Sequence, residues 1–175
     1  GLRVVGSSIG LGFSRSRSEA VERHFLAGHV ARDGHGDLEL LLVHTPRYLK
    51  RIKTGNLSAA ELKALEIRYS PELVRFALLS VGGTVLAARK AIESGLAVHI
   101  GGGFHHAFPE HGEGFCLLND VAVAARKVVA DGLAERVMIV DCDLHQGNGT
   151  AAALAGRPEI FTFSLHQMED RKSVG

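Results

Sequence analysis

Two short stretches of the chain place acids and imidazoles where they could act together. In Val137 to His145, VMIVDCDLH, four apolar residues run into two aspartates and a histidine at alternating positions. Side chains alternate faces along a strand, so Asp141, Asp143 and His145 are expected to project to the same side. Oxygen and nitrogen donors along one edge suit a borderline divalent metal such as zinc. The spacing alone is weak evidence, because an Asp two residues before a His also occurs at Asp33 and His35, inside a glycine-rich polar turn. The apolar run ahead of Asp143 and His145 separates the two cases. The plainer alternative is that the aspartates cap a neighbouring turn, yet ionised carboxylates leaving a buried strand need a partner or a cation.

The second stretch is Gly101-Gly102-Gly103-Phe104-His105-His106. Three glycines after an apolar run let the backbone turn sharply and approach a neighbour closely. An imidazole that titrates near neutrality can take a proton from a water activated by a metal. The alternative here is a packed loop with two solvated imidazoles. Two further loops carry polar groups. In His111-Gly112-Glu113-Gly114-Phe115-Cys116, Phe115 could wall a narrow apolar channel or anchor the core. In Gln146-Gly147-Asn148-Gly149, Asn148 could hydrogen-bond a catalytic imidazole or simply hold the turn. His24, His29, His35, His44 and His166 have no partner that the sequence identifies. There is no phosphate loop, G-x-G-x-x-G, G-x-S-x-G elbow or paired CxxC.

The elements that must position these residues follow from patterning. LELLLV, residues 38–43, is an almost wholly apolar run of the kind buried on both faces of a parallel sheet. Ser70 offers an N-cap, Pro71 the first helical position, Glu72 a favourable charge and Gly95 a stop, framing a long helix. Gly82 and Gly83 inside it weaken the helix and mark a close approach to a neighbour. Ala97 to Ile100 then reads as a strand, Asp120 to Ala130 as a helix closed by Gly132, Val137 to Asp141 as a strand, Thr150 to Ala155 as a short helix and Ile160 to Ser164 as a strand. This alternation predicts an α/β fold with a parallel sheet, in which ligands bind beyond the carboxyl ends of the strands. The first 37 residues are polar and irregular, with one helix expected over Glu19 to Leu26.

The chain has 175 residues, 46% of them hydrophobic, and a formal charge of +1. That describes one globular domain. Basic residues are scattered and form no stripe for a phosphate backbone, so nucleic acid is not expected as a direct partner. Cys116 and Cys142 are too few for a disulfide scaffold, and both are expected to pack as small hydrophobes in a reducing compartment. The uncharged stretch Phe76 to Ala88 is shorter than a bilayer requires, and the opening residues lack a secretion signal, so a cytoplasmic location is expected.

Taken together, GGGFHHAFPEHGEGFCLLND, VDCDLHQGNG and TFSLHQ strongly resemble the histone deacetylase superfamily, closest to its bacterial and class IV-like members, with HTPRYL at 44–49 and LSVGGTVLAA at 79–88 in support. The resemblance covers residues 38–167, read as the amino-terminal part of a deacetylase-like domain. Residues 1–37 form a poorly matched leading segment and 168–175 an unmatched tail. It implies the arginase/deacetylase α/β fold, a three-layer parallel sheet with helices on both faces, here partial. It also implies zinc-dependent removal of an acyl group from N-acetyl-lysine or from an acetylated polyamine or small amine. By position, Asp143 and His145 match zinc ligands, His106 the general base, Asn148 the residue that orients it, His105 the second histidine and Asp141 its buried partner. Phe115, beside Gly114, matches a wall of the acyl-lysine tunnel. A structural potassium ion would be held at Asp141, Asp143, His145, Ser164 and Leu165.

Related arginases carry a metal-bridging aspartate where this chain has Gly147, so one zinc is expected and a two-metal ureohydrolase is disfavoured. Family members run to roughly twice the domain length seen here, beyond ordinary domain size. Their third zinc ligand, an aspartate, and their transition-state tyrosine lie beyond the matched residues, so a truncated enzyme or a catalytically incomplete binding module is the competing expectation. Missing strands would expose an apolar sheet edge and favour self-association.

Overall fold

A computed structural model describes residues 2–7 and 36–168. The helix expected over Glu19 to Leu26, and His24, His29, Asp33 and His35, lie outside the described residues. Strand β1, Leu2–Ser7, opens the chain, followed by helices α1 (Gly36–Leu40), α2 (Pro46–Thr54), α3 (Ala59–Leu65), α4 (Pro71–Ser94) and α5 (Asp120–Ala130). Strand β2 (Arg136–Asp141), helix α6 (Asn148–Leu154) and strand β3 (Ile160–Ser164) complete it. The sheet is parallel in the order β1-β2-β3, with Leu2 beside Arg136 and Val137 beside Ile160. Asp141 ends the central strand and lies in register with Ser7 on one side and Ser164 on the other. The site residues therefore leave the sheet at its carboxyl edge, where α/β folds assemble sites.

The helix signals operate as chemistry requires. Ser70 accepts a hydrogen bond from the Leu73 amide, Pro71 opens α4, and Gly95 closes it in the left-handed region at φ 90°. Asn119 caps α5 by accepting from the Ala122 amide. Ser58 and Glu61 form a reciprocal capping box on α3. The buried face of α5 begins with Asp120 and runs unbroken through Ala125, and its alanines let α4 and the sheet approach closely. The core joins Tyr48, Leu49 and Ile52 of α2, Val81 and Val85 of α4, Val121 and Val128 of α5, and Val137 and Ile139 of β2.

Four expectations are corrected. LELLLV is no strand: Gly36–Leu40 is helical and the chain then turns, burying Leu40 and Val43 while Leu38 and Leu41 face outward. A short apolar run does not by itself separate a buried strand from a helix edge. Ala97 to Ile100 joins no described strand, and Leu96, Val98 and Ile100 are exposed while His99 turns inward. Strand β1, in turn, lies in the segment read as irregular. On length and composition α4 is sufficient to cross a bilayer, contrary to the reading of its uncharged stretch; in this fold it packs along α5.

Candidate functional site

The glycine loop is tied down by a buried carboxylate. Asp120 is fully buried and accepts hydrogen bonds from the Gly103 and Phe104 amides, at 3.0 and 2.7 Å, and from the Thr84 hydroxyl. Thr84 is also 3.0 Å from His99 Nδ1. The loop passes so close that a Cβ on Gly102 would lie 2.3 Å from Asp120 Oδ2, and Gly103 adopts φ 99°. Glycine is the residue type that accepts both demands. Gly83 of α4 meets its expected close neighbour in the His99 ring. A loop held this way delivers His105 and His106 to the sheet edge.

His105 is buried, and its Nδ1 lies 2.5 Å from Asp141 Oδ2. Asp141 Oδ1 also accepts from the Asp143 amide at 3.0 Å. Burial pushes the Asp141 carboxyl up, but those hydrogen bonds, with the charges of His105 and His106, outweigh it and hold it below the ordinary carboxylate value. His106 lies beside it, with ring centroids 4.2 Å apart, and its Nδ1 is 2.7 Å from Asn148 Oδ1. The Asn148 amide nitrogen donates to Glu113 Oε1 at 3.0 Å, and a carboxylate only accepts, so the amide oxygen faces His106. His106 therefore donates from Nδ1, and in its neutral form the lone pair is on Nε2.

Asp143 and His145 sit next to this pair by a route that differs from strand alternation. Strand β2 ends at Asp141, and residues 143–145 form a bend closed by the His145 amide donating to Asp143 Oδ1. The bend brings Asp143 Oδ1 within 3.3 Å of His145 Nδ1 and 3.7 Å of His105 Nε2. Two donors of a tetrahedral zinc with bonds of about 2.0 Å lie roughly 3.3 Å apart, so this pair is spaced for one ion. His145 is 6.0 Å from His106 between ring centroids. Among the described residues no cluster of three or more His, Cys, Asp or Glu side chains closes around a metal position.

Phe115 is 55% exposed, so the core reading of that residue is overturned. It occupies φ 67° and follows Gly114 at φ 52°, between Glu113 and Cys116, which exchange backbone hydrogen bonds. Two positive φ angles in a two-residue turn are the type I′ geometry, unusual for a bulky side chain. A Cβ on Gly114 would lie 2.9 Å from His106 Cδ2, so the turn rests against the imidazole. At the opposite edge, Leu165 donates its amide to the Asp141 carbonyl at 2.8 Å, and Ser164 Oγ lies 3.0 Å from His166 Nδ1. A cleft of about 200 Å³ opens there, lined by Asp141, Gly147, Thr150 and Ser164 among others.

Sequence reasoning missed two residues here. Glu113 gives no pattern on its own. His44 is 2% exposed; its Nδ1 donates to the Phe108 carbonyl and its Nε2 accepts from the Asn119 amide, joining the histidine loop to the cap of α5. Burial lowers its pKa to about 4 against the opposing pull of the Phe108 and Pro109 carbonyls, so it is neutral. Cys142 is exposed, contrary to expectation, while Cys116 is buried.

A profile of the histone deacetylase domain matches residues 15–173. The chain belongs to the histone deacetylase family. Family membership carries the arginase/deacetylase α/β fold, of which the parallel sheet and its helices are part. An uncharacterized protein of Picosynechococcus sp. is 46% identical over 127 residues, covering 73% of this chain and 42% of that protein. Histone deacetylase 2 of Arabidopsis thaliana is 36% identical over 138 residues, 75% of this chain and 36% of the relative. The acetoin utilization protein AcuC of Bacillus subtilis is 36% identical over 140 residues, 74% and 36%. The chain thus spans about two fifths of the length of these relatives.

Proposed function

We propose that the chain contributes one side of a zinc-dependent amidohydrolase site that removes acyl groups from N-acetyl-lysine or from acetylated polyamines and small amines, in the cytoplasm. One observation carries this reading: His106, with Nδ1 committed to Asn148, stands beside the His105–Asp141 pair and next to two donors spaced for one zinc ion. Asp143 and His145 would hold that ion. When bound, zinc supplies a Lewis acid that polarises the acyl carbonyl and acidifies water.

The chain's own groups supply the rest. His106 Nε2 accepts the proton of the attacking water, and Asn148 keeps the ring turned for that transfer. Asp141 accepts from His105 Nδ1 and fixes the tautomer and orientation of that ring, so His105 is held beside the reacting acyl group. Exposed Phe115 at the turn offers an apolar wall to an acylated side chain. Gly147 leaves no carboxylate for a bridging second metal. The carboxyl edge near Ser164 and Leu165 is the proposed potassium position, with the Asp141, Asp143 and His145 carbonyls.

A second reading, a binding module without turnover, rests on the absence among the described residues of a third metal donor. The two separate in one experiment. The purified chain is assayed for zinc and for hydrolysis of an acetyl-lysine peptide. Bound zinc with turnover abolished by His106→Ala supports the hydrolase; a folded chain without either supports the module.

We also propose self-association through the sheet edge, where Phe161, Phe163 and Leu165 of β3 and its exit are exposed. A monodisperse monomer in sizing experiments at high concentration contradicts it.

A further inference from the structure

We propose that Glu113 is a positioning residue for His106, acting through Asn148; this rests on the reading of His106 as the general base. The argument is a chain of donor and acceptor identities. The Glu113 carboxylate can only accept, so it takes an N–H of the Asn148 amide, at 3.0 Å. That turns the Asn148 oxygen toward His106, 2.7 Å from Nδ1. The imidazole must then donate from Nδ1, so that in the neutral ring the lone pair is on Nε2, the nitrogen a base needs. The Gly149 amide also donates to Asn148 Oδ1, at 2.9 Å, and holds that oxygen from the backbone side. Glu113 adds what a backbone amide does not: a fixed negative charge behind the amide nitrogen, which polarises the amide and strengthens its oxygen as an acceptor.

The backbone around Glu113 serves the same placement. Glu113 is the first residue of the tight turn whose Gly114 rests on the His106 ring, so one turn contacts the imidazole directly and grips its partner by a side chain. The second carboxylate oxygen lies 3.6 Å from His111 Nε2, and the His111 ring stacks on Phe108 with centroids 4.5 Å apart. That outer contact limits where the carboxylate can swing.

The test is nitrogen-resolved NMR of the imidazoles in the intact chain, in mildly alkaline solution, with Glu113→Ala and Glu113→Gln beside the parent and a urea midpoint for each. In the parent, His106 shows a downfield Nδ1 proton that exchanges slowly with water. In Glu113→Ala, exchange of that proton accelerates by about tenfold and its signal moves upfield. Glu113→Gln keeps an acceptor oxygen for Asn148 and restores slow exchange in part. A folded Glu113→Ala chain with an unchanged His106 proton overturns the assignment of Glu113 and leaves the base reading standing. A parent chain in which His106 carries its proton on Nε2 overturns both.

Discussion

Asp141 Oδ2 and His105 Nδ1 lie 2.5 Å apart where the central strand ends, both side chains nearly closed off from water. Their contact joins the sheet to the glycine loop. Asp141 Oδ1 simultaneously receives the Asp143 amide, so one carboxylate sets both the histidine pair and the bend that carries Asp143 and His145.

Asp141→Asn tests this double duty. The new amide offers one acceptor and one donor group where two acceptors stood, leaving either His105 or the Asp143 amide facing a donor. An unsatisfied buried donor costs about 1–3 kcal/mol, so the urea midpoint falls accordingly. A variant as stable as the parent contradicts the pairing.

His44 predicts an acid-sensitive fold. Its folded pKa of about 4 lies below its ordinary value of 6.5, so the unfolded chain takes up a proton first as pH falls. The stabilising contribution is complete above 6.5, declines from there to about 4, and is absent below; its full size is about 3 kcal/mol. Urea unfolding of the parent and of His44→Gln across that window should show the difference between them narrowing as pH falls. A constant difference contradicts a neutral buried His44.

Gly102→Ala probes the loop anchor. The added Cβ would meet Asp120 Oδ2 at 2.3 Å and Thr84 Oγ1 at 2.5 Å, two atoms already hydrogen-bonded to each other. Overpacking combined with a disturbed buried carboxylate costs about 3 kcal/mol, read as a lowered thermal midpoint. Gly95→Ala, which has open space at its Cβ but φ 90°, should cost less, about 1 kcal/mol. Equal costs at the two sites contradict a tight Gly102 passage.

Much of this is legible in the sequence alone. The caps of α4 and the start and end of α5 are local chemistry, written in Ser70, Pro71, Gly95 and Asp120. The DCDLH run is identifiable because it leaves an apolar strand, and the histidine doublet because it follows three glycines. LELLLV misled because apolarity without alternation fits more than one structure, and burial of Leu40 and Val43 was settled by tertiary packing. His44 and Glu113 were invisible for a different reason: their partners, Asn119 and Asn148, lie 75 and 35 residues away. Phe115 required its backbone angle, which no composition reports.

The most direct measurement is zinc titration by calorimetry at neutral pH on the parent chain and on the Asp143→Ala/His145→Ala double variant. Catalytic zinc sites ordinarily use three protein ligands, so the parent should take up one zinc ion weakly. The double variant should lose that binding while retaining the parent's far-ultraviolet circular dichroism. Equal zinc binding by both chains, or none by a folded parent, would contradict the account.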